Sequence, residues 1–290
     1  MSTIIASLAE ISDNYDALFV DLWGCVHDGI KAFPDANEAL TKYRKKGGKV
    51  ILVTNSPKPR AGVEKQLISF GVSPDSWDSI ASSGDSARVA MFKGKVGVKV
   101  YFIGETRDLP FFEPLKLLDD PEPIHRVPLE EADGIVCTGP FDSKADPEDM
   151  RKTLLLAKQK GLKLLCANPD IVVDRGDIRE WCAGALAQLY TEMGGESLYF
   201  GKPHPPIYDL ARSRLVALGE TIDMDRILAI GDGIQTDVSG AFNEDIDSLF
   251  VSGGLAKEET KTINQPNVKA LNAYLLDQKQ APRFTIGYLR

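Results

Sequence analysis

Short apolar runs recur along the chain, and each one ends in a polar or glycine-containing turn. Three runs show the pattern: residues 17–20 before Asp21, residues 50–53 before Thr54, and residues 227–230 before Gly231-Asp232. Segments of helical periodicity follow such runs, and prolines mark the starts of three predicted helices, at Pro34, after Pro59 and at Pro205. The alternation predicts an α/β domain with a parallel sheet.

Polar residues stand at the carboxyl ends of these predicted strands. In open parallel sheets, ligands bind in the crevice beyond those ends. Three adjacent strands would therefore bring Asp21, Thr54 and Asp232 to one site.

A second series of predicted strands, at residues 98–103, 134–137 and 162–166, is accompanied by helices near 147–160 and 182–193. We predict a Rossmann-like parallel-sheet core of residues 1–83 and 196–290, with an α/β module inserted at residues 84–195. Residues 110–131 form its most loop-like part. Residues 284–288 are a candidate late strand of the core.

The composition is that of an ordinary globular protein, with 43% hydrophobic and 26% charged residues among 290. A net charge of −8 argues against a nucleic-acid partner, which would need a concentrated basic surface. No apolar run of membrane-spanning length occurs, so we expect a soluble, cytoplasmic protein without a membrane partner. The four cysteines lack CxxC pairing and are predicted to be reduced core residues; three scattered histidines disfavour a zinc cluster.

Four short motifs occur in order along the chain: Asp21-Leu22-Trp23-Gly24, Thr54-Asn55-Ser56, Gly201-Lys202-Pro203 and Gly231-Asp232-Gly233 with Asp237. Each motif alone has a plain structural explanation as a turn, a helix cap or a surface lysine. In this order they resemble the haloacid dehalogenase (HAD) superfamily, and more narrowly its class IIA branch of sugar phosphatases and nitrophenylphosphatases. Asn168-Pro169-Asp170 in the insert and the Lys-Pro-His-Pro sequence extend the resemblance over nearly the whole chain.

The resemblance implies a Mg²⁺-dependent phosphatase in which Asp21 is the nucleophile. Asp21, the main-chain carbonyl of Trp23 and Asp232 would be the protein ligands of Mg²⁺, with Asp237 just behind these ligands. Lys202 would act with Asp21 in catalysis by offsetting the negative charge of the carboxylates.

The same resemblance assigns the phosphate grip to four residues: Thr54, Asn55, Ser56 and Lys202. Thr54 would donate its hydroxyl and Asn55 its amide to the transferring phosphoryl group. Water would then hydrolyse the aspartyl-phosphate.

Trp23 departs from the family pattern. The residue two positions after the nucleophile is normally a second aspartate, which protonates the departing alcohol and later activates water. An indole N–H does neither. Three consequences stay open: slow hydrolysis that favours good leaving groups, a replacement acid such as His27 or Asp28, or loss of catalysis with ligand binding retained.

In class IIA relatives the inserted module is a cap, which implies an inserted α/β cap domain at residues 84–195 here. A loop of that cap after the Asn-Pro-Asp stretch helps to select the substrate, which points to Asp174, Arg175 and Gly176. An arginine there would clamp a second anionic group, although a surface ion pair with Asp174 or Asp177 is the more ordinary explanation. The expected partner is a small phosphorylated metabolite such as a sugar phosphate. A homodimer is a further possible partner arrangement, because the caps of related proteins can mediate dimers. The alternatives are a catalytically silent ligand-binding homologue and a non-phosphatase HAD hydrolase.

Overall fold

The computed structural model describes residues 2–114, 120–175 and 178–290. The chain divides into two compact units. The first unit comprises Met1–Thr54, Glu64–Ala81 and Lys202–Arg290, and the second comprises Asn55–Val63 and Ser82–Gly201.

The strands of the described residues are β1 (Thr3–Ile4), β2 (Ala17–Val20), β3 (Lys49–Thr54), β4 (Ser79–Ser82), β5 (Lys99–Ile103), β6 (His125–Arg126), β7 (Gly134–Cys137), β8 (Lys163–Cys166), β9 (Val172–Arg175), β10 (Ile178–Trp181), β11 (Glu196–Tyr199), β12 (Ile227–Gly231), β13 (Asp247–Val251) and β14 (Phe284–Ile286). The α-helices are α1 (Pro34–Lys45), α2 (Arg60–Phe70), α3 (Ser83–Phe92), α4 (Arg151–Gln159), α5 (Ala183–Glu192), α6 (Pro205–Ala217), α7 (Ser239–Asn243) and α8 (Val268–Asp277). Short 3-10 turns, the longest at Thr106–Phe112, and one π-helical turn at Ile234–Val238 complete the description.

The first unit is built on a seven-stranded sheet of order β1-β14-β13-β12-β2-β3-β4. The pairings from β1 through to β3 are parallel. Every residue of β2 and β12 is buried, which explains why their sequences are continuous apolar runs rather than alternating ones. The predicted Rossmann-like core is therefore confirmed.

Helix α6 supplies one part of the core of this unit. Its residues Ile207, Ala211 and Leu215 are buried against Phe19 of β2 and Ala229 of β12. Pro205 opens the helix at its first turn, where a missing N–H costs nothing. The apolar stripe of α6 thus covers the strands whose ends carry the candidate site.

The second unit has its own parallel sheet, of order β11-β8-β7-β5-β6, and a two-stranded antiparallel sheet of β9 and β10. Its core includes buried residues of β7, β8 and α5, among them Ile135, Leu164, Leu186 and Tyr190. The strands predicted at residues 98–103, 134–137 and 162–166 correspond to β5, β7 and β8. The segment at residues 110–131 is largely without regular structure where it is described, and residues 115–119 lie outside the described part.

The late strand predicted at residues 284–288 exists as β14, between β13 and β1. Among the described residues, none of the helices combines the length and the apolar character that crossing a membrane requires. The four cysteines, all within the described residues, are buried and form no disulfide.

Candidate functional site

Three neighbouring strands of the first unit deliver the candidate residues to one edge of the sheet. Strand β2 lies between β12 and β3, and Val20 is level with Ile230 on one side and Leu52 on the other. Asp21 directly follows β2, Thr54 ends β3, and Asp232 directly follows β12. The adjacency that the sequence argument requires is thus present in the sheet.

Lys202 connects two of the carboxylates. Its Nζ lies 2.5 Å from Asp21 Oδ1 and 2.7 Å from Asp237 Oδ1, and the residue is only 2% exposed. Burial alone would lower the pKa of Lys202, but the carboxylates of Asp21 and Asp237 outweigh it and raise that pKa well above its usual value. Lys202 is therefore a fixed positive charge at the site.

Asp237 is held by the turn that follows β12. It lies in the π-helical turn, and its Oδ2 accepts a hydrogen bond from the Gly233 amide at 3.1 Å. A Cβ at Gly231 would lie 2.0 Å from Asp237 Cγ, so only glycine leaves room for this carboxylate. Asp237 thus accepts a hydrogen bond from its own loop through Oδ2 and pairs with Lys202 through Oδ1.

Asp232 is the most crowded carboxylate of the site. Its Oδ2 accepts a hydrogen bond from the Leu255 amide at 2.9 Å, and the residue is 5% exposed. A Cβ at Gly24 would lie 2.1 Å from that oxygen, and a Cβ at Gly254 would lie 2.0 Å from it. Burial, followed by the charges of Asp21 and Asp237, raises the pKa of Asp232 well above its usual value.

The donor set fits a small divalent cation. Ligand atoms of Asp21, Asp232 and Cys25 all lie within 4.8 Å of one another. With all three aspartates ionised, Lys202 balances only one of three buried negative charges. Mg²⁺ prefers oxygen ligands and would offset the remainder, which opposes the part of the Asp232 pKa rise that comes from Asp21 and Asp237.

The position of Cys25 differs from the expectation drawn from the sequence. Cys25 is 1% exposed, as predicted for a core cysteine, but its sulfur lies beside two carboxylates instead of in mainly apolar surroundings. Burial, together with Asp232 and Asp21, raises the pKa of its thiol. The thiol is therefore protonated at neutral pH. Its place four residues after Asp21, directly after the first motif, is the signal in the sequence that could have indicated this position.

Trp23 and His27 pack together on the loop after β2. Their rings meet edge to face at 5.3 Å, and Phe70 meets the His27 ring at 5.0 Å. A Cβ at Gly29, whose φ is +83°, would lie 2.2 Å from Trp23 Cζ2. The indole thus fills the space in front of Gly29.

His27 is a structural residue of this loop. It is 2% exposed, and its Nδ1 accepts a hydrogen bond from the Gly29 amide at 3.0 Å. The neutral ring therefore carries its proton on Nε2. Burial lowers the pKa of His27 to about 4. A neutral histidine with so low a pKa is a poor proton donor at neutral pH.

Asp28 is engaged in the turn that follows. Its Oδ1 accepts hydrogen bonds from the Ile30 amide at 2.9 Å and the Lys31 amide at 2.8 Å. Burial acts to raise the pKa of Asp28, but these amides and the charge of Lys31 outweigh it, and the net pKa is lowered. Asp28 is therefore a carboxylate that organises a turn.

Asn55 and Ser56 continue the chain from Thr54 but belong to the second unit. Asn55 Nδ2 donates to Asp170 Oδ1 at 2.7 Å, and the Asp170 amide donates to Asn168 Oδ1 at 3.1 Å. The Asn-Pro-Asp stretch thus orients the Asn55 amide, a relationship that sequence reasoning missed. Ser56 Oγ accepts a hydrogen bond from the Lys58 amide at 3.3 Å.

The predicted specificity residues fall where little is described. Gly176 lies outside the described residues, and only the backbone of Asp174 and Arg175 is described, at the end of β9. In the hairpin, Asp174 is level with Arg179 of β10.

Family models match two regions of the chain. One, described as a haloacid dehalogenase-like hydrolase, matches residues 18–115, and another, described as HAD-hydrolase-like, matches residues 199–274. The crystal structure of a haloacid dehalogenase-like hydrolase from Brucella suis is 37% identical, with a TM-score of 0.86, and the match covers 99% of this chain and 100% of that one.

Two further relatives carry functional names. The acid sugar phosphatase of Staphylococcus saprophyticus is 25% identical over 254 residues, which cover 85% of this chain and 90% of that protein. A glycerol phosphate phosphatase from Mycobacterium tuberculosis, solved in complex with magnesium, is 23% identical with a TM-score of 0.63, over 84% of this chain and 70% of that one. The latter likeness is one of fold.

Proposed function

Because this chain belongs to the haloacid dehalogenase-like hydrolase family, in its class IIA branch, we propose that it is a Mg²⁺-dependent phosphatase of a small phosphorylated metabolite. The observation that carries the proposal is the contact of Lys202 with Asp21 at 2.5 Å, beside the carboxylate of Asp232. A phosphatase needs a held nucleophile, a fixed cation and a metal site together, and the grouping of Asp21, Lys202 and Asp232 at this sheet edge supports that combination. The phosphatase names of its relatives agree with this reaction.

Asp21 is the nucleophile in this proposal. One of its carboxylate oxygens attacks phosphorus, the bond to the departing oxygen breaks, and an aspartyl-phosphate forms. Water then attacks phosphorus and regenerates the carboxylate. Lys202 holds Asp21 in position and stabilises the negative charge that builds up on the phosphoryl oxygens.

Asp21, Asp232 and the main-chain carbonyl of Trp23 would hold Mg²⁺, with Asp237 placed by Lys202 and by its own loop. When bound, the metal would lower the repulsion between the carboxylates and an incoming phosphate. The glycerol phosphate phosphatase from M. tuberculosis, which shares the fold, was solved in complex with magnesium, and this supports a magnesium site in general terms.

Thr54, Asn55 and Ser56 would bind the phosphoryl group, as the place of Thr54 at the end of β3 and of Asn55 and Ser56 directly after it supports. The predicted division into a hydrolase core of residues 1–83 and 196–290 and a cap of residues 84–195 stays a proposal, although β11 (Glu196–Tyr199) pairs with β8 in the sheet of the second unit. Asp174, Arg175 and Gly176 stay predicted specificity residues of that cap. The cytoplasmic location and the homodimer also stay predictions.

A binding protein without turnover is the second candidate, and Trp23 is the residue that favours it. The cation and carboxylates of the site are present, whereas the usual acid and base are not. Calorimetry that detects Mg²⁺-dependent binding of phosphorylated ligands, with no release of phosphate, would select this alternative.

A phosphate-release screen tests the proposal. We expect wild type to release phosphate from 4-nitrophenyl phosphate or from a panel of phosphorylated sugars, nucleotides and cofactors, only with Mg²⁺. Asp21→Asn should abolish release. Asp16→Asn, at the other end of β2 and ion-paired with Arg226, is the matched control and should retain it. No turnover on the whole panel, or equal turnover by Asp21→Asn, would contradict the proposal.

A further inference from the structure

The loop between β2 and α1 is where a HAD phosphatase carries its proton donor for the leaving group. All of residues 21–33 are described, and their acidic or imidazole side chains after Asp21 are those of His27 and Asp28. Trp23 occupies the position of the usual acid. Its indole N–H has no acid-base chemistry near neutral pH.

His27 is fixed in a role that excludes proton transfer to a substrate. It is 2% exposed, its Nδ1 is bonded to the Gly29 amide, and its ring lies between Trp23 and Phe70. A general acid must come within hydrogen-bond reach of the departing oxygen. A ring enclosed in this way stays inside the loop.

Asp28 is likewise held as an acceptor. Its carboxylate binds the amides of Ile30 and Lys31, an arrangement that favours the charged form and leaves no proton to donate. Lys202 directs its ammonium group to Asp21 and Asp237. The one other protonated group of this loop near the carboxylates, the Cys25 thiol, is 1% exposed and lies against Asp21 and Asp232. The loop therefore supplies neither a carboxylic acid nor an imidazolium in place of the missing aspartate.

We propose that this site acts on phosphate derivatives whose leaving group departs as a stable anion: acyl, enol or aryl phosphates. The inference rests on the proposed phosphatase function and narrows its substrate class. An Asp21 oxygen forms a bond to phosphorus, and the leaving oxygen departs with the bonding electrons as a carboxylate, enolate or phenolate. No proton is transferred to it in this step. Alkyl phosphates, whose alkoxide is a poor leaving group, react slowly.

The absence of an aspartate at position 23 also affects the rate of the second step, hydrolysis of the aspartyl-phosphate. In that step water attacks phosphorus, the bond to the Asp21 oxygen breaks, and the water protons pass to solvent. Without a base to activate the water, this hydrolysis is slower than formation of the aspartyl-phosphate from a good leaving group. The aspartyl-phosphate therefore accumulates.

A leaving-group series on the wild-type protein with Mg²⁺ tests the substrate class. Acetyl phosphate and 4-nitrophenyl phosphate should show a kcat/KM at least about 100-fold above that of glycerol 3-phosphate, the scale of a missing general acid. Substituted phenyl phosphates should fall steeply in rate as the pKa of the phenol rises. Equal or faster hydrolysis of the alkyl ester, or a flat series, overturns the inference.

Substitutions at position 23 test the cause. Trp23→Asp should raise kcat/KM for glycerol 3-phosphate by about 100-fold and make the rates of the phenyl phosphates depend less on the pKa of the phenol. Trp23→Asn introduces a side chain of the same size as aspartate but without an acid, and it should have neither effect. Asp28→Asn retains the turn and should leave the wild-type series unchanged. A gain in Trp23→Asn, or loss of activity in Asp28→Asn, contradicts this account. If the position-23 variants do not fold, the wild-type series still decides.

Rapid-mixing kinetics separate this inference from the proposed function. Wild type with 4-nitrophenyl phosphate should release a burst of about one nitrophenol per site before a slower steady state. Turnover without a burst, at similar rates for alkyl and aryl esters, leaves the phosphatase function standing and removes the inference. Absence of turnover on every ester and acyl phosphate, with Asp21→Asn equal to wild type, removes the phosphatase function itself.

Discussion

Lys202 and Asp21, which are 181 positions apart in the sequence, form a buried ion pair with 2.5 Å between Nζ and Oδ1. Their side chains are only 3% and 11% exposed. The pair brings the start of α6 to the end of β2. It also places one ammonium group within 2.7 Å of both Asp21 and Asp237.

Removal of this cation should destabilise the protein. Lys202→Met leaves the buried carboxylates uncompensated, and we expect the free energy of unfolding in urea to fall by about 3–5 kcal/mol at neutral pH without metal. Lys42→Met is the control, because the Lys42 pair with Glu38 has side chains 69% and 65% exposed. The control should change stability by less than about 1 kcal/mol. Equal effects of the two substitutions would contradict the account.

Asp232 should couple stability to Mg²⁺. Because burial and its neighbours raise the pKa of Asp232, Asp232→Asn should be at least as stable as wild type without metal. Adding Mg²⁺ at about 100 times its Kd should stabilise wild type by about 2.7 kcal/mol and leave Asp232→Asn unchanged. Thermal unfolding with and without Mg²⁺ measures both quantities. The control Asp16→Asn should be stabilised by Mg²⁺ as much as wild type. Stabilisation of Asp232→Asn to the same extent would exclude Asp232 as a ligand.

Gly24 should tolerate no side chain. Gly24→Ala faces both a φ of +73° and a Cβ 2.1 Å from Asp232 Oδ2. At Gly47 the φ is +102° and a Cβ would have no atom within 4 Å, so Gly47→Ala faces only the backbone strain of a positive φ. We expect Gly47→Ala to cost about 1–2 kcal/mol and Gly24→Ala to cost more and to lose the Mg²⁺ response. Similar losses in both variants, with the metal response intact, would disprove the close approach.

His27 should make stability depend on pH in a defined window. Its pKa is lowered from 6.5 to about 4 in the folded protein, so the unfolded chain binds a proton first as the pH falls. The contribution of His27 is complete above pH 6.5 and is lost as the pH falls through about 4, by roughly 3 kcal/mol at most. His27→Gln should remove this part of the dependence of the free energy of unfolding on pH, measured by urea unfolding. The control His125→Gln changes an exposed histidine and should leave that dependence unchanged.

Continuous apolar runs allowed much of the fold to be predicted. Strand β7 coincides with the predicted run at residues 134–137, because a buried parallel strand is apolar at every position. Strands β4 and β13 were not predicted. Strand β4, Ser79–Ser82, contains only two apolar residues, and its place beside β3 is decided by long-range pairing that a local pattern does not encode.

Those residues of the candidate site that lie at strand ends could be located from the sequence. The positions of Asp21, Thr54 and Asp232 follow from three strands in the order β12-β2-β3. The neighbours of Cys25 and the contact of Asn55 with Asp170 do not follow, because they depend on turn geometry and on residues 115 positions apart. The roles of the site residues stay predictions.

Locating the phosphoryl group on the protein tests the central claim most directly. Wild type should be mixed with 4-nitrophenyl phosphate and Mg²⁺, quenched rapidly in acid, digested with trypsin and examined by mass spectrometry. The account predicts one phosphoryl group on Asp21, in the peptide that ends at Lys31, and none in Asp21→Asn. Phosphate release by Asp21→Asn at the wild-type rate, or a phosphoryl group on another residue, would contradict it.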